Sequence, residues 1–468
     1  MLLKAINIKK KQNTIDKDNV NVDEIARNEY IRKLQRMLKC KTVYNMKNYD
    51  DTEFAKFRSV IVEEFPTLNS KGELMIFGTG CIVYKVKGTT DKNIMLMSHH
   101  DVVDANPSEW KYDPFGAEIH EGNIYARGSI DTKTPLFGEL QAVEELLKEG
   151  YEFPFNVYIA SSNNEEVCGD GIVIAVDYFK QNNIHFDFVI DEGGAVVDKQ
   201  MPGIDGFTAM VAVHEKGRHT YTCKASKDTG KDSGHSGLTC KTDNPIQRMS
   251  DFISETSAIK WRNCLYNEVK ATFRYAAPYM SFPYRYLFSN ISIFEPLLLK
   301  VLPKVSPTVS AMLGNTMSFT DIYGKGIYEM VQAKDVSATA FFRCVREKDL
   351  FDEVEQKFKP IADKYGITIE PVIRDYCKPA SYENEEFKCI EKTVREIFPR
   401  VPVIPFLLTA GSDSRRFTTV AENIYRFAPI VVTSEQFKTI HQPNENISAI
   451  NIGEVVCFYK QLLQNLYK

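Results

Sequence analysis

Three short runs carry side chains able to do joint chemistry: Ser98-His99-His100-Asp101-Val102-Val103, then Ala126-Arg127-Gly128-Ser129-Ile130-Asp131, then Glu165-Glu166. An imidazole followed by several carboxylates in this order can hold two metal ions. Along an extended backbone His99 and Asp101 face one side and His100 the other. His99 is therefore the ligand candidate, with Asp101 placed to hold its second ring nitrogen, and His100 reads as a buried structural histidine. Asp131 follows Gly128 and precedes a helix, where an aspartate often caps; beside His99 and the glutamate pair it better serves as a carboxylate offering one oxygen to each of two ions. Adjacent buried acids repel unless cations neutralise them or a proton is shared. Glu165-Glu166 thus fits one metal ligand and one group facing the metal-bound water. Asp191-Glu192-Gly193-Gly194 adds a further acid, from Asp191 or Glu192, and His441, in Ile440-His441-Gln442-Pro443-Asn444-Glu445, reads on its own as a surface residue.

The elements around these runs place them together. Apolar spacing predicts helices over Glu24 to Leu38 and Phe54 to Phe65, and strands over Ile82 to Val86 and Asn93 to Met97, the latter apolar enough to be buried on both faces. A helix over Thr134 to Gly150, a strand over Phe155 to Ala160, a helix over Ile172 to Lys180 and a strand over Phe186 to Ile190 come next. This alternation implies a three-layer α/β domain with a mostly parallel sheet. The polar runs fall just past the C-terminal ends of its strands, where open α/β sheets form ligand crevices. After Gly217 the pattern changes: Arg218 to Ala225 and Ser337 to Val345 read as strands of a smaller α+β unit. Between them the aromatic stretch Phe273 to Leu297 suits a helical core or subunit contact, or else a wall for an apolar substrate group. Asn384 to Phe398 resumes as helix, with a strand over Ile424 to Ile430 and a closing helix over Glu454 to Leu466. The resulting division is a catalytic domain in two parts, residues 1–212 and 373–468, interrupted by residues 213–372, with residues 1–20 a flexible N-terminus.

Lys and Arg total 58 against 62 Asp and Glu, a formal charge of -4 over 468 residues, which makes nucleic acid an improbable partner. Met1 to Asp18 mixes lysines with polar residues and lacks an apolar core, so a signal peptide or membrane span is not expected and a cytoplasmic location is. Ten cysteines occur without a Cys-x-x-Cys pair, which argues against a disulfide framework or a thiolate zinc site. Repeats and low-complexity tracts, the marks of a solenoid or scaffold, are missing from the sequence.

The chain resembles the dinuclear zinc peptidase family that includes carboxypeptidase S, aminoacylase, glutamate carboxypeptidase and succinyl-diaminopimelate desuccinylase, most closely its carboxypeptidase S and N-acyl-amino-acid hydrolase branch. Besides the runs above, the resemblance rests on Trp110 to Phe115, Glu215-Lys216-Gly217, Gly234-His235-Ser236, Phe294-Glu295-Pro296-Leu297, Asp413-Ser414-Arg415, Ile424-Tyr425-Arg426-Phe427 and the His441 loop. It implies one zinc on His99, Asp131 and Glu192 and a second on Asp131, Glu166 and His441, with cobalt or manganese able to replace zinc. It further implies Glu165 as general base, Asp101 as the residue orienting His99, and Arg415 as the group binding a substrate carboxylate. The inserted unit becomes a lid, commonly a dimerisation domain, whose His235 reaches an active site, often the partner subunit's, to stabilise an oxyanion. The implied reaction is hydrolysis, by a zinc-bound hydroxide, of an amide bond beside a free carboxylate in a small peptide. An N-acyl-amino-acid amidohydrolase is the alternative, and the complete ligand set argues against a non-catalytic binding module. Two departures stand out: Met330 and Ala333 replace an Asn-x-x-Pro run of the lid that contacts substrate, and Asn163-Asn164 replaces an acid before the glutamate pair.

Overall fold

The computed structural model describes residues 22–227, 235, 244–325 and 328–467. Residues 1–20, expected to be a flexible segment, and Gly234 and Ser236 of the lid motif lie outside the described residues.

Alternation along one strand sets the layering. In Asn93–Met97, Ile94 and Leu96 enter one apolar core while Met95 and Met97 enter another. A strand with both faces covered by apolar side chains must lie in the middle of a sandwich. The first core holds the helices Glu24–Leu38, Lys133–Lys148, Glu385–Ile397 and Ile452–Asn465 against the sheet, and the second holds Gly171–Gln181. Leu136, Leu140, Val143 and Leu147 give Lys133–Lys148 its apolar face. Where it meets the closing helix, Gly138 lets the backbones approach, because an added Cβ would lie 2.5 Å from Val455 Cγ1.

Among the described residues the main sheet has ten strands. Its order begins Glu73–Phe77, Cys81–Val86, Asn156–Ser161, Asn93–Met97, Phe188–Asp191, Ile424–Arg426 and Phe207–Glu215. Asn93–Met97 runs parallel to both Asn156–Ser161 and Phe188–Asp191, and Phe188–Asp191 is parallel to Ile424–Arg426. The centre is therefore parallel, as expected, and antiparallel pairs occur towards the edges. The strand read over Ile424 to Ile430 ends at Arg426, and pairing resumes at Val431–Val432 beside Val196–Asp198.

Phe207–Glu215 passes through Lys216 into Gly217–Ser226, the first strand of a separate four-stranded antiparallel sheet. Thr316–Tyr323, Asp335–Cys344 and Thr368–Asp375 complete it. Met249, Phe252, Leu350, Val354 and Phe358 cover one of its faces. The helices Asn267–Ala276, Tyr284–Ser289 and Ile291–Val301 pack instead on Ile404 and Leu407 of the main sheet. Phe273 and Phe288 stack there at 4.3 Å between ring centres. The aromatic stretch thus builds a helical core, with Ile293 and Leu297 left exposed on its outer side. Among the described residues no helix is long and apolar enough to cross a membrane.

Candidate active site

The central strands end at the candidate site residues. Asn93–Met97 leads to His99 and Asp101, Asn156–Ser161 leads to Glu165 and Glu166, and Phe188–Asp191 leads to Glu192. The turn bearing Asp131 is tied to the first of these: the His99 N–H donates to Thr132 Oγ1 at 3.0 Å, and the same hydroxyl donates back to the His99 carbonyl at 2.9 Å.

Asp131 presents its two carboxylate oxygens to two different histidines. Oδ1 lies 2.9 Å from His99 Nε2 and Oδ2 lies 3.0 Å from His441 Nε2, which is also 3.1 Å from Glu166 Oε2. His441 therefore joins the cluster although it stands alone in sequence. Donor atoms of His99, Asp131 and Glu166 all fall within 4.8 Å of one another. His100 faces away; it stacks on Phe57 at 4.8 Å and meets Ser161 Oγ at 2.8 Å through Nδ1.

The chemistry of these contacts fits a cation. His99 Nδ1 lies 3.0 Å from the Asp101 carbonyl, an acceptor only, so Nδ1 carries a hydrogen and the Nε2 of a neutral ring is a lone pair. That lone pair faces a carboxylate oxygen, an arrangement satisfied by a proton or a metal ion between them. Burial opposes charge on His99, but Asp101 and Asp131 outweigh it and hold the imidazole well above its ordinary range. Asp131 and Glu166 likewise hold His441 up to about 10. Burial opposes ionisation of Asp131 too, yet both histidines keep its carboxyl well below the usual range.

Two other acids are shifted the opposite way, although His99 lies near both. Burial, then Asp413, drives Glu165 well up, and burial, then Asp191 and Asp131, does the same to Glu192. Both line a cavity of about 340 Å³ with Asp131, Glu166 and His441. Its lining also includes the apolar Ile130, Leu408, Ile430, Phe437 and Ile440, and among the described residues neither lysine nor arginine lines it.

Beneath the cluster, buried carboxylates grip the backbone of the turns that carry it. Asp101 accepts the N–H groups of Glu165 at 3.1 Å and Glu166 at 3.0 Å. Its carboxylate stands 3.4 Å from His99 Nδ1, so the ring is held first by the Asp101 carbonyl. Asp191 accepts the N–H groups of Glu192 at 2.9 Å and Ser414 at 2.8 Å. With both oxygens so engaged, Asp191 is a backbone anchor, and Glu192 is the acid of the pair that lines the cavity. Glu445 plays the same part for the Asp131 turn.

Two residues expected at the site stand apart from the cavity. His235 lies exposed in the second unit, bridged to Val331, and does not line it. Arg415 is buried, with Nε on Asp375 Oδ2 at 2.8 Å and a guanidinium N–H on the Ser412 carbonyl. Arg343, which sequence reading passed over, lies nearby: its Nη1 would be 2.8 Å, and that of Arg415 3.1 Å, from a Cβ placed on Gly411 in the cavity wall. Its signal was a basic residue at the end of an otherwise small and apolar strand. Asp413, named in the sequence only as part of the Asp413-Ser414-Arg415 run, accepts from Ser162 Oγ near Glu165, and burial pushes its carboxyl up to about 6.

Comparison with known proteins agrees with this geometry. Residues 95–465 match Peptidase family M20/M25/M40. The chain is 32% identical over 377 residues to the zebrafish (Danio rerio) N-fatty-acyl-amino acid synthase/hydrolase PM20D1.1, covering 79% of this chain and 72% of that one. It is 29% identical over 431 residues to the probable carboxypeptidase S-like 2 of Dictyostelium discoideum, covering 89% and 80%. In fold it is similar to the metallo-carboxypeptidase Sso-CP2 of Sulfolobus solfataricus, with a TM-score of 0.67 at 20% identity over 95% of this chain and 99% of that one. The chain belongs to the M20/M25/M40 peptidase family and is a hydrolase of that family.

Proposed function

We propose that this hydrolase is a metal-dependent carboxypeptidase or dipeptidase, cleaving an amide bond beside a free carboxylate. One observation carries the proposal: four carboxylates and His441 line one cavity, with His99 Nε2 2.9 Å from the shared Asp131 carboxylate, and among the described residues no lysine or arginine lines it. His99, Asp131 and Glu192 would hold one ion and Asp131, Glu166 and His441 another, a donor set of imidazole nitrogen and carboxylate oxygen that suits zinc. Two zinc ions, when bound, would supply Lewis acidity to polarise the amide carbonyl and make water at the site more acidic.

Glu165 does the proton work. Enclosed and with its carboxyl held up by burial and by Asp413, it takes a proton from the attacking water and returns it to the departing amine. Asp101 fixes the turn from which Glu165 projects. The substrate carboxylate is assigned to the guanidinium groups behind Gly411, those of Arg343 and Arg415. His235 is assigned to the oxyanion across a dimer formed through the inserted unit. The apolar wall favours a second reading, an N-acyl-amino-acid amidohydrolase, in line with the acyl substrates named for the zebrafish relative.

A panel of dipeptides and of N-acyl amino acids with increasing acyl length, run with metal analysis of the purified chain, tests both readings. About two zinc ions per chain and turnover of at least one substrate class are expected, with full loss of turnover on chelation and recovery on adding zinc. Rates that rise with acyl length while dipeptides are left untouched select the second reading. A chain that takes up no divalent metal sinks both.

A further inference from the structure

Glu445 belongs to none of the expected ligand sets, yet its side chain accepts four hydrogen bonds from the turn that carries one of the expected ligands. Its carboxylate is fully buried. Oε2 accepts from Arg127 Nη1 at 2.7 Å and from the Gly128 N–H at 3.1 Å, while Oε1 accepts from the N–H groups of Ile130 at 2.7 Å and Asp131 at 3.2 Å. The Glu445 carbonyl accepts the Ala126 N–H at 3.1 Å as well. One side chain thus gathers the donors of the turn that ends in Asp131, from 314 residues away in sequence.

The turn is shaped for this. Gly128 adopts φ +84°, and a Cβ there would come within 2.7 Å of Val102 Cγ1, so only glycine can aim this N–H inward. Successive N–H groups converging in this way form a concavity for an anion. Arg127, buried over the Trp110 ring at 5.3 Å, adds the countercharge. At its other end Glu445 sits four positions after His441, and Asn444 fixes the same segment by accepting the Lys111 N–H at 2.7 Å.

We infer that Glu445 is a positioning residue that ties the segment bearing His441 to the turn bearing Asp131, so that the Asp131 carboxylate meets His99 and His441 at once. It touches no reacting atom. Its effect on the reaction runs through the shared carboxylate, and it binds two distant parts of the chain into one ion-binding unit. This role rests on the metal-dependent reading of the site.

The test is zinc titration of the metal-free protein by calorimetry, with the visible spectrum of the cobalt-loaded protein as a second readout. Glu445→Gln leaves Arg127 without a buried countercharge, so the double variant Arg127→Met/Glu445→Gln is made beside it, and Glu445→Asp keeps the charge on a shorter stem. A zinc Kd about 10–100-fold weaker, the range seen when supports of metal ligands are removed, is expected in all three. The cobalt spectrum should change in position or intensity while metal-free Glu445→Asp melts close to wild type. Variants that bind zinc as tightly as a zinc-binding wild type, with the wild-type cobalt spectrum, overturn the inference alone. A wild type that takes up no zinc overturns the functional reading and this one together.

Discussion

Glu215 and Asp375 are acids buried beside guanidinium groups; Glu165 and Glu192 are acids enclosed beside imidazoles and one another. Glu215 Oε2 lies 3.0 Å from Arg426 Nε and also accepts the N–H and hydroxyl of Ser412. Asp375 Oδ2 holds Arg415 at 2.8 Å and Arg416 at 2.9 Å. The first pair of acids is neutralised within the fold, and it serves the fold. The second pair is left with a surplus of negative charge in a cavity, a cost that a protein bears where a cation or a proton is to be handled. Counting positive partners around buried acids, rather than counting the acids, separates the structural cluster from the functional one.

The largest expected effect falls on the under-neutralised side. Glu165→Gln should lower kcat/KM by about 10²–10⁴-fold, the usual worth of a general base, with zinc content and melting temperature nearly unchanged. Steady-state kinetics beside metal analysis checks this, and a fall in stability with activity retained would erase the contrast.

Next comes the neutralised side. Arg426→Met strands Glu215 without a cation and should cost about 3–5 kcal/mol in urea unfolding, while Glu215→Gln/Arg426→Met recovers most of that loss. A single variant that loses under about 1 kcal/mol would show the pair to be dispensable.

The smallest effect concerns histidines, which divide in the same way. His441 is held up by carboxylates, whereas burial, followed by nearby arginines, pushes His214 down to about 3 and His219 down to about 4. Between about pH 6.5 and those values the unfolded chain binds more protons at these two positions than the native one, so stability falls as pH falls. For His214 the loss from pH 7 to 5 is on the order of 2 kcal/mol. His214→Gln should flatten that slope in thermal melts of the zinc-loaded protein, and an unchanged slope would assign the acid sensitivity to the cavity instead.

Much of this was legible in the sequence because strand ends are legible. Runs such as Asn93 to Met97 announce a buried strand, and residues just past the C-terminal end of such a strand lie in the crevice of an α/β sheet. That places His99, Glu165 and Glu192 without any coordinates. The support layer was not legible, because its bonds run from side chains to backbone N–H groups, which have no residue identity to read. Glu445 therefore passed as part of a loop, and the carboxylate of Asp101 was assigned to the His99 ring, which it approaches at 3.4 Å, without the turn that it also grips. The aromatic stretch was ambiguous for a different reason. Apolar residues at helical spacing describe a buried face but not the surface they meet, and here that surface is Ile404 and Leu407 at the flank of the main sheet.

Asn93–Met97 feeds one core with Ile94 and Leu96 and the other with Met95 and Met97, and the chain beyond it keeps that rhythm through His99 and His100. The strand is thus a reading frame for the active site. A single residue inserted or deleted within it would exchange the two cores and, in the same stroke, turn His100 towards Asp131 and bury His99 against Phe57. Variation in length should therefore be barred from this strand, and from the segment through Asp101 that continues it, in any functional descendant of the chain.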